Sequence, residues 1–102
     1  MTVRHRVLIV EDTPDIAEIL AVRLTMSGYT PSIADHGDRA IPAVVSFRPE
    51  AILLDVGLPG RDGFSVLEEL KASPELRDIP VLMLTARHAR ADVERALSLG
   101  AS

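Results

Sequence analysis

The stretch "AILLDVGLPGRDG", residues 51–63, carries a short apolar run into a bare carboxylate, Asp55. A turn rich in Gly and Pro follows, then a second acid, Asp62, beside Gly63. Short apolar runs bounded by turn residues read as core strands. A buried strand that ends on a charge needs a reason, and the rest of the chain supplies one.

Outward from this strand, strand and helix patterns alternate. "RVLIVE" (6–11) is a continuous aliphatic and β-branched run, the mark of a strand covered on both faces. The period changes over "TPDIAEILAVRLTMSG" (13–28), where Ile16, Ile19, Leu20, Leu24 and Ser27 share a helical face. Thr13 suits the cap of this helix, Pro14 its first turn and Gly28 its stop. "YTPSIA" (29–34) is a weaker strand, and Pro31 places it at a sheet edge, where a ladder donor can be spared. Residues 38–47 read as a helix with Ala40, Ile41, Val44, Val45 and Phe47 as its apolar set. Pro42 fits there only if the helix starts near Asp38 or kinks. Residues 63–72 form a third helix with Phe64, Leu67 and Leu70 inward, and "VLMLTA" (81–86) a fourth strand. A helix over 89–99 carries Val93, Ala96 and Leu97, with Gly100 at its stop. Repeated β-α units of this kind predict an α/β fold, a parallel sheet with helices on both faces. Ligands of such folds bind outside the carboxyl ends of the strands, where the strand order reverses. Asp55 stands at such an end.

Composition bounds the function. The 102 residues make one domain, and with 47% hydrophobic but only 3% aromatic residues its core is aliphatic. A net charge of −4 argues against a nucleic-acid footprint. No cysteine is present, so disulfides and thiolate metal sites are excluded. The apolar run in "MTVRHRVLIVED" stops at two acids, too short for a signal peptide or a membrane span. The expectation is a cytoplasmic domain with no membrane or direct nucleic-acid contact.

Three of the four strands finish on polar groups: Glu11 and Asp12, then Asp55, then Thr85. If the first and third strands are neighbours, three carboxylates converge, which is unfavourable unless one is protonated or a cation joins them. Oxygen ligands without His or Cys favour a hard cation, and a few carboxylates with waters and a phosphate group is the Mg²⁺ pattern. Thr85 adds a hydroxyl able to donate to a phosphate oxygen, and Ala86 beside it leaves room for one.

With "LIVED", "LLDVGLPGRDG", "PVLMLTA" and "ALSLGA" in this order and spacing, the chain resembles the receiver domain of two-component response regulators over essentially its whole length. The resemblance implies a doubly wound, flavodoxin-like sheet of order 2-1-3-4-5, the fifth strand and last helix being absent from this chain. Flavodoxin and receiver proteins are the standard examples of that strand order. It also implies that Asp55 accepts a phosphoryl group from the phosphohistidine of a sensor histidine kinase or phosphotransfer protein. Glu11, Asp12, Asp55 and the backbone carbonyl of Gly57 would hold Mg²⁺, and Thr85 would be the switch residue. In-line transfer asks for positioning and charge neutralisation, so the domain would be a signalling switch and not an enzyme. Members of the family carry a lysine at the end of the fifth strand; the only lysine here is Lys71, in the third helix. A receiver-like interaction module that is not phosphorylated, or an inactive fragment, is therefore the alternative. An aspartyl-nucleophile phosphotransferase is disfavoured, because the second acid it needs two residues on is replaced by Gly57.

Blander roles account for the remaining polar residues. Asp62 and Gly63 turn the chain and cap the following helix, Pro59 and Gly60 shape the loop, and His5, His36 and His88 are expected at the surface. The continuously apolar fourth strand suits a position between two others. Residues 1–102 are thus expected to be a receiver domain incomplete at its C-terminus, which continues in a longer protein or completes itself as a homodimer by exchange of elements. The Thr85 hydroxyl contributes no charge to the transfer itself. Thr85→Ala should therefore keep the phosphorylation rate within about twofold while losing phosphorylation-dependent partner binding, a split read by comparing the two measurements on one preparation. Equal loss of both would make Thr85 part of the transfer.

Overall fold

The computed structural model describes residues 5–58 and 61–84. The first aliphatic run forms β1 (Arg6–Val10). It is followed by α1 (Pro14–Met26), β2 (Thr30–Ala34), α2 (Gly37–Phe47), β3 (Ala51–Asp55), α3 (Gly63–Ala72) and β4 (Val81–Leu84). These strands make one sheet in the order β2-β1-β3-β4, with every pair parallel. The alternation and the expected 2-1-3-4 order are both present. Pro31 lies on the edge strand β2, opposite Val7 of β1. Thr85, Ala86, the expected helix over 89–99, Pro59 and Gly60 lie outside the described residues.

The sheet is covered on both faces because its inner strands carry apolar residues at consecutive positions. Val7, Leu8, Ile9 and Val10 are all buried. Leu8 and Val10 share a cluster with Ile52 and Leu54 of β3 and with Val44, Val66, Leu67 and Leu70 of α2 and α3. Val7 and Ile9 alternate to the opposite face, where α1 lies against β1 and β2. Each such aliphatic side chain contributes roughly 1.5–3 kcal/mol on full burial, which makes this cluster the main support of the fold.

One expectation about burial is corrected. On α1 the buried residue is Ala17, with Leu20, Ala21 and Leu24 half-buried beside it, while Ile16 and Ile19 are 47% and 57% exposed. Small residues let the helix axis approach β1 and β2, so the inward stripe is rotated from the one that the larger side chains suggested. On β4 Val81 is buried and Leu82 is 55% exposed, and among the described residues the strand pairs only with β3.

The helix ends follow local chemistry, with variations. At the end of α1 the Tyr29 and Gly28 N–H groups donate to the Leu24 and Thr25 carbonyls, and Gly28 has φ 92°, the geometry expected of a glycine stop. Thr13 stands at the cap position but its side chain makes no capping bond. α2 starts at Gly37, one residue before Asp38, and accommodates Pro42 within its span. Its cap is His36, whose Nδ1 accepts the Asp38 N–H at 3.2 Å.

α2 ends on Arg48 in the left-handed conformation, φ 52° and ψ 62°. The freed carbonyls there are taken by Arg6 at the start of β1. Its Nε–H donates to the Phe47 oxygen at 3.1 Å and the Arg48 oxygen at 2.9 Å. Glu50, which pairs with His5, also lies within 3.8 Å of the Arg6 guanidinium. Arg6→Met keeps most of the stem and removes these donors. It should lower the unfolding free energy by about 1 kcal/mol, seen as an earlier urea midpoint at unchanged slope.

Candidate functional site

Parallel pairing sets Val10 of β1 beside Ala34 of β2 on one side and Leu54 of β3 on the other. The next residue along each inner strand is an acid. Glu11 continues the ladder for one more bond, its N–H donating to the Ala34 oxygen at 3.0 Å, and Asp55 closes β3 opposite Leu84 of β4. Glu11, Asp12 and Asp55 each place a carboxylate oxygen within 4.8 Å of the others. Glu11 is buried, at 5% exposure, while Asp12 and Asp55 are half-buried. The three acids singled out from the sequence thus meet at the carboxyl end of the sheet.

Both loops at this end are held by short-range bonds that leave the carboxylates facing one another. The Thr13 N–H donates to Glu11 Oε1 at 3.2 Å. This bond satisfies the backbone donor of Thr13 itself and not the first-turn N–H groups that its hydroxyl was expected to cap. The Gly57 N–H donates to Asp55 Oδ1 at 3.3 Å, so Gly57 folds back over the acid it follows. Val56 is pinned on both sides, its N–H to the Leu84 oxygen at 3.1 Å and its carbonyl to the Gly63 N–H at 3.0 Å. Leu58 is 7% exposed and plugs the loop into the core. Asp62 caps α3 as expected, accepting the Ser65 N–H at 2.9 Å. Gly63 has a further role that the turn reading missed. A Cβ there would run into the Asp55 carbonyl oxygen, so only glycine lets α3 begin this close to the acid.

Burial pushes the Glu11 carboxyl above its ordinary value, and the neighbouring Asp55 and Asp12 charges push the same way. Hydrogen bonds from Thr13 pull against that shift without cancelling it. A cluster of three acids with one of them destabilised by its neighbours is a set of hard oxygen donors that fits a divalent cation. The donor set contains neither nitrogen nor sulfur, which fits magnesium or manganese better than zinc. Thr85, the remaining expected site residue, lies outside the described residues.

Comparison with known proteins gives a consistent picture. The family of the response regulator receiver domain matches residues 7–102. The DNA-binding response regulator MtrA of Mycolicibacterium smegmatis is 38% identical over 100 residues, which are 98% of this chain and 42% of that protein. The chain therefore spans less than half the length of this curated relative. A putative response regulator from Chloroflexus aurantiacus superposes with a TM-score of 0.93 at 32% identity, covering 98% of this chain and 82% of the other. The response regulator Rcp1, solved in a Mn²⁺-bound form, gives a TM-score of 0.88 at 31% identity over 96% of this chain and 77% of its own.

The raised Glu11 value has a definite sign in stability. The folded chain holds this proton more tightly than the unfolded chain does. The associated stabilisation is complete below the ordinary value of 4.5 and is lost as the pH rises through the raised one. Glu11→Gln keeps an oxygen for the Thr13 N–H and removes the charge. Without metal, at neutral pH, it should melt roughly 4 °C above the wild type, the shift that about 1 kcal/mol produces in a domain of this size. The two melting curves should converge below pH 4.5. Divalent cation should raise the melting temperature of the wild type and have less effect on the variant.

Proposed function

Because the chain belongs to the response regulator receiver domain family, the signalling domain of two-component systems, we propose that Asp55 is its phosphoacceptor. The observation that carries this reading is the meeting of Asp55 with Glu11 and Asp12, carboxylate oxygens within 4.8 Å, at the carboxyl end of a parallel sheet. The donor of the phosphoryl group is the phosphohistidine of a sensor histidine kinase or phosphotransfer protein. An Asp55 oxygen attacks the phosphorus, the P–N bond breaks, and the imidazole nitrogen leaves with the electron pair. The product is an aspartyl phosphate.

This chemistry asks the protein to hold the nucleophile, steer the incoming group and offset negative charge. Asp55 is held by its own strand and by the Gly57 N–H. Mg²⁺ is the cation we assign to Glu11, Asp12, Asp55 and the Gly57 carbonyl; bound there, it supplies charge neutralisation to the carboxylates and the incoming phosphoryl oxygens. Thr85 is assigned the switch role on sequence position. The domain acts as a switch, not as an enzyme turning over a separate substrate. It is assigned to the cytoplasm and to a protein partner. In support, no described helix is long and apolar enough to cross a membrane, and the net charge of −4 disfavours direct contact with nucleic acid.

A second reading is a receiver-fold interaction module that keeps the same acid cluster but is not phosphorylated. The two readings separate in one experiment: incubation with acetyl phosphate and Mg²⁺ followed by intact-mass measurement. Phosphorylation at Asp55 predicts a phosphoryl adduct that is absent from Asp55→Asn and is lost on treatment with hydroxylamine. An adduct that persists in Asp55→Asn assigns the acceptor elsewhere. Mg²⁺ binding without any adduct supports the interaction module.

A further inference from the structure

The loop that follows Asp55 contributes the Gly57 backbone to the site, and Arg61 stands where the chain leads from that loop into α3. Two side chains fasten this lead-in: Asp62, which caps the helix, and Arg61. Arg61 reaches forward along α3, its Nε–H donating to Ser65 Oγ at 3.0 Å and its Nη2 to the Ser65 carbonyl at 2.9 Å. The same Nη2 pairs with Glu69 at 2.8 Å. With 24% exposure the Arg61 side chain is the less exposed member of that pair, so this is not a freely solvated surface contact. The backbone of the same residue is pressed against α2. Gly37 is buried, and a Cβ there would overlap the Arg61 carbonyl oxygen. One residue thus joins the loop to α3 through its side chain and to the start of α2 through its backbone.

We propose that Arg61 is a positioning residue for the acidic site: it holds the loop between β3 and α3 so that the Gly57 backbone stays turned toward Asp55. The proposal rests on the reading of Asp55 and Gly57 given above. The planar guanidinium suits the task, because its donors meet a hydroxyl, a carbonyl and a carboxylate in one rigid arrangement. The loop is also anchored from its other end by Leu58 in the core and by the two bonds of Val56. Removing Arg61 should therefore loosen the loop without unfolding the sheet.

The test compares Arg61→Met, Arg61→Lys and Glu69→Gln with the wild type in the full chain. Mg²⁺ affinity is measured by titration and amide hydrogen exchange is measured without metal. Arg61→Met should weaken Mg²⁺ binding by about tenfold, the scale on which groups that orient metal ligands act. In the metal-free chain it should speed exchange at Gly57 and Leu58 while leaving β1 and β3 protected. Arg61→Lys keeps the ion pair but not the fork and should recover part of the affinity. Glu69→Gln, a change at an exposed position, should shift both readouts less in the same direction and decides the matter if Arg61→Met does not fold. Unchanged affinity and unchanged loop exchange in both Arg61→Met and Glu69→Gln overturn the proposal. So does faster exchange along α3 alone, which would make Arg61 a helix brace. A wild-type chain that neither binds Mg²⁺ nor accepts a phosphoryl group overturns the reading of the site itself, whatever the loop does.

Discussion

With Val10 opposite Leu54 in the parallel pairing of β1 and β3, Glu11 and Asp55 arrive level with each other. That register is the constraint on which the acidic site depends. A parallel pair cannot slip by one residue without turning every side chain to the opposite face, and here both faces are covered by helices. Leu8 and Val10 of β1, with Ile52 and Leu54 of β3, must all face the α2 and α3 side together. Burying this aliphatic set fixes the register, and the register brings two carboxylates together against their mutual repulsion. Energy from the core thus sustains an unfavourable electrostatic arrangement at its rim.

The loops determine how that arrangement is held. Backbone N–H groups from Thr13 and Gly57 reach one oxygen each on Glu11 and Asp55, which eases the repulsion but leaves acceptor capacity unused. Three carboxylates with spare acceptor capacity form a donor set that could hold a metal ion, whose charge would offset their repulsion. Close packing near Asp55 keeps the geometry from spreading. Gly63 brings α3 against the Asp55 backbone, and Gly37 brings α2 against Arg61. A methyl group at either position would displace the loop on which the site depends.

α1 illustrates where patterning stops being informative. Apolar residues surround much of its circumference, so two stripes that share Leu20 and Leu24 compete: one extends to Ile16 and Ile19, the other to Ala17 and Ala21. Hydrophobicity favours the first stripe and steric approach to the sheet favours the second. The second faces inward, because a helix lying across twisted strands comes closest where its side chains are small. A sum over residue hydrophobicities contains no distance of closest approach.

Local rules acting within a few residues were legible in the sequence. The apolar runs of β1 and β3, the glycine stop at Gly28, the edge position implied by Pro31 and the Asp62 cap each depend on neighbouring chemistry, and each is present. The acids were legible as well, since carboxylates at the ends of buried strands are conspicuous once the α/β alternation is recognised. Their convergence depended on which strands are neighbours, a relation between residues more than forty positions apart that only the sheet order and register decide. The same holds for Arg6 closing α2, Gly37 admitting the Arg61 carbonyl and the burial pressure on Glu11. None of these has a local signature, because each arises from a distance between segments that folding alone brings together.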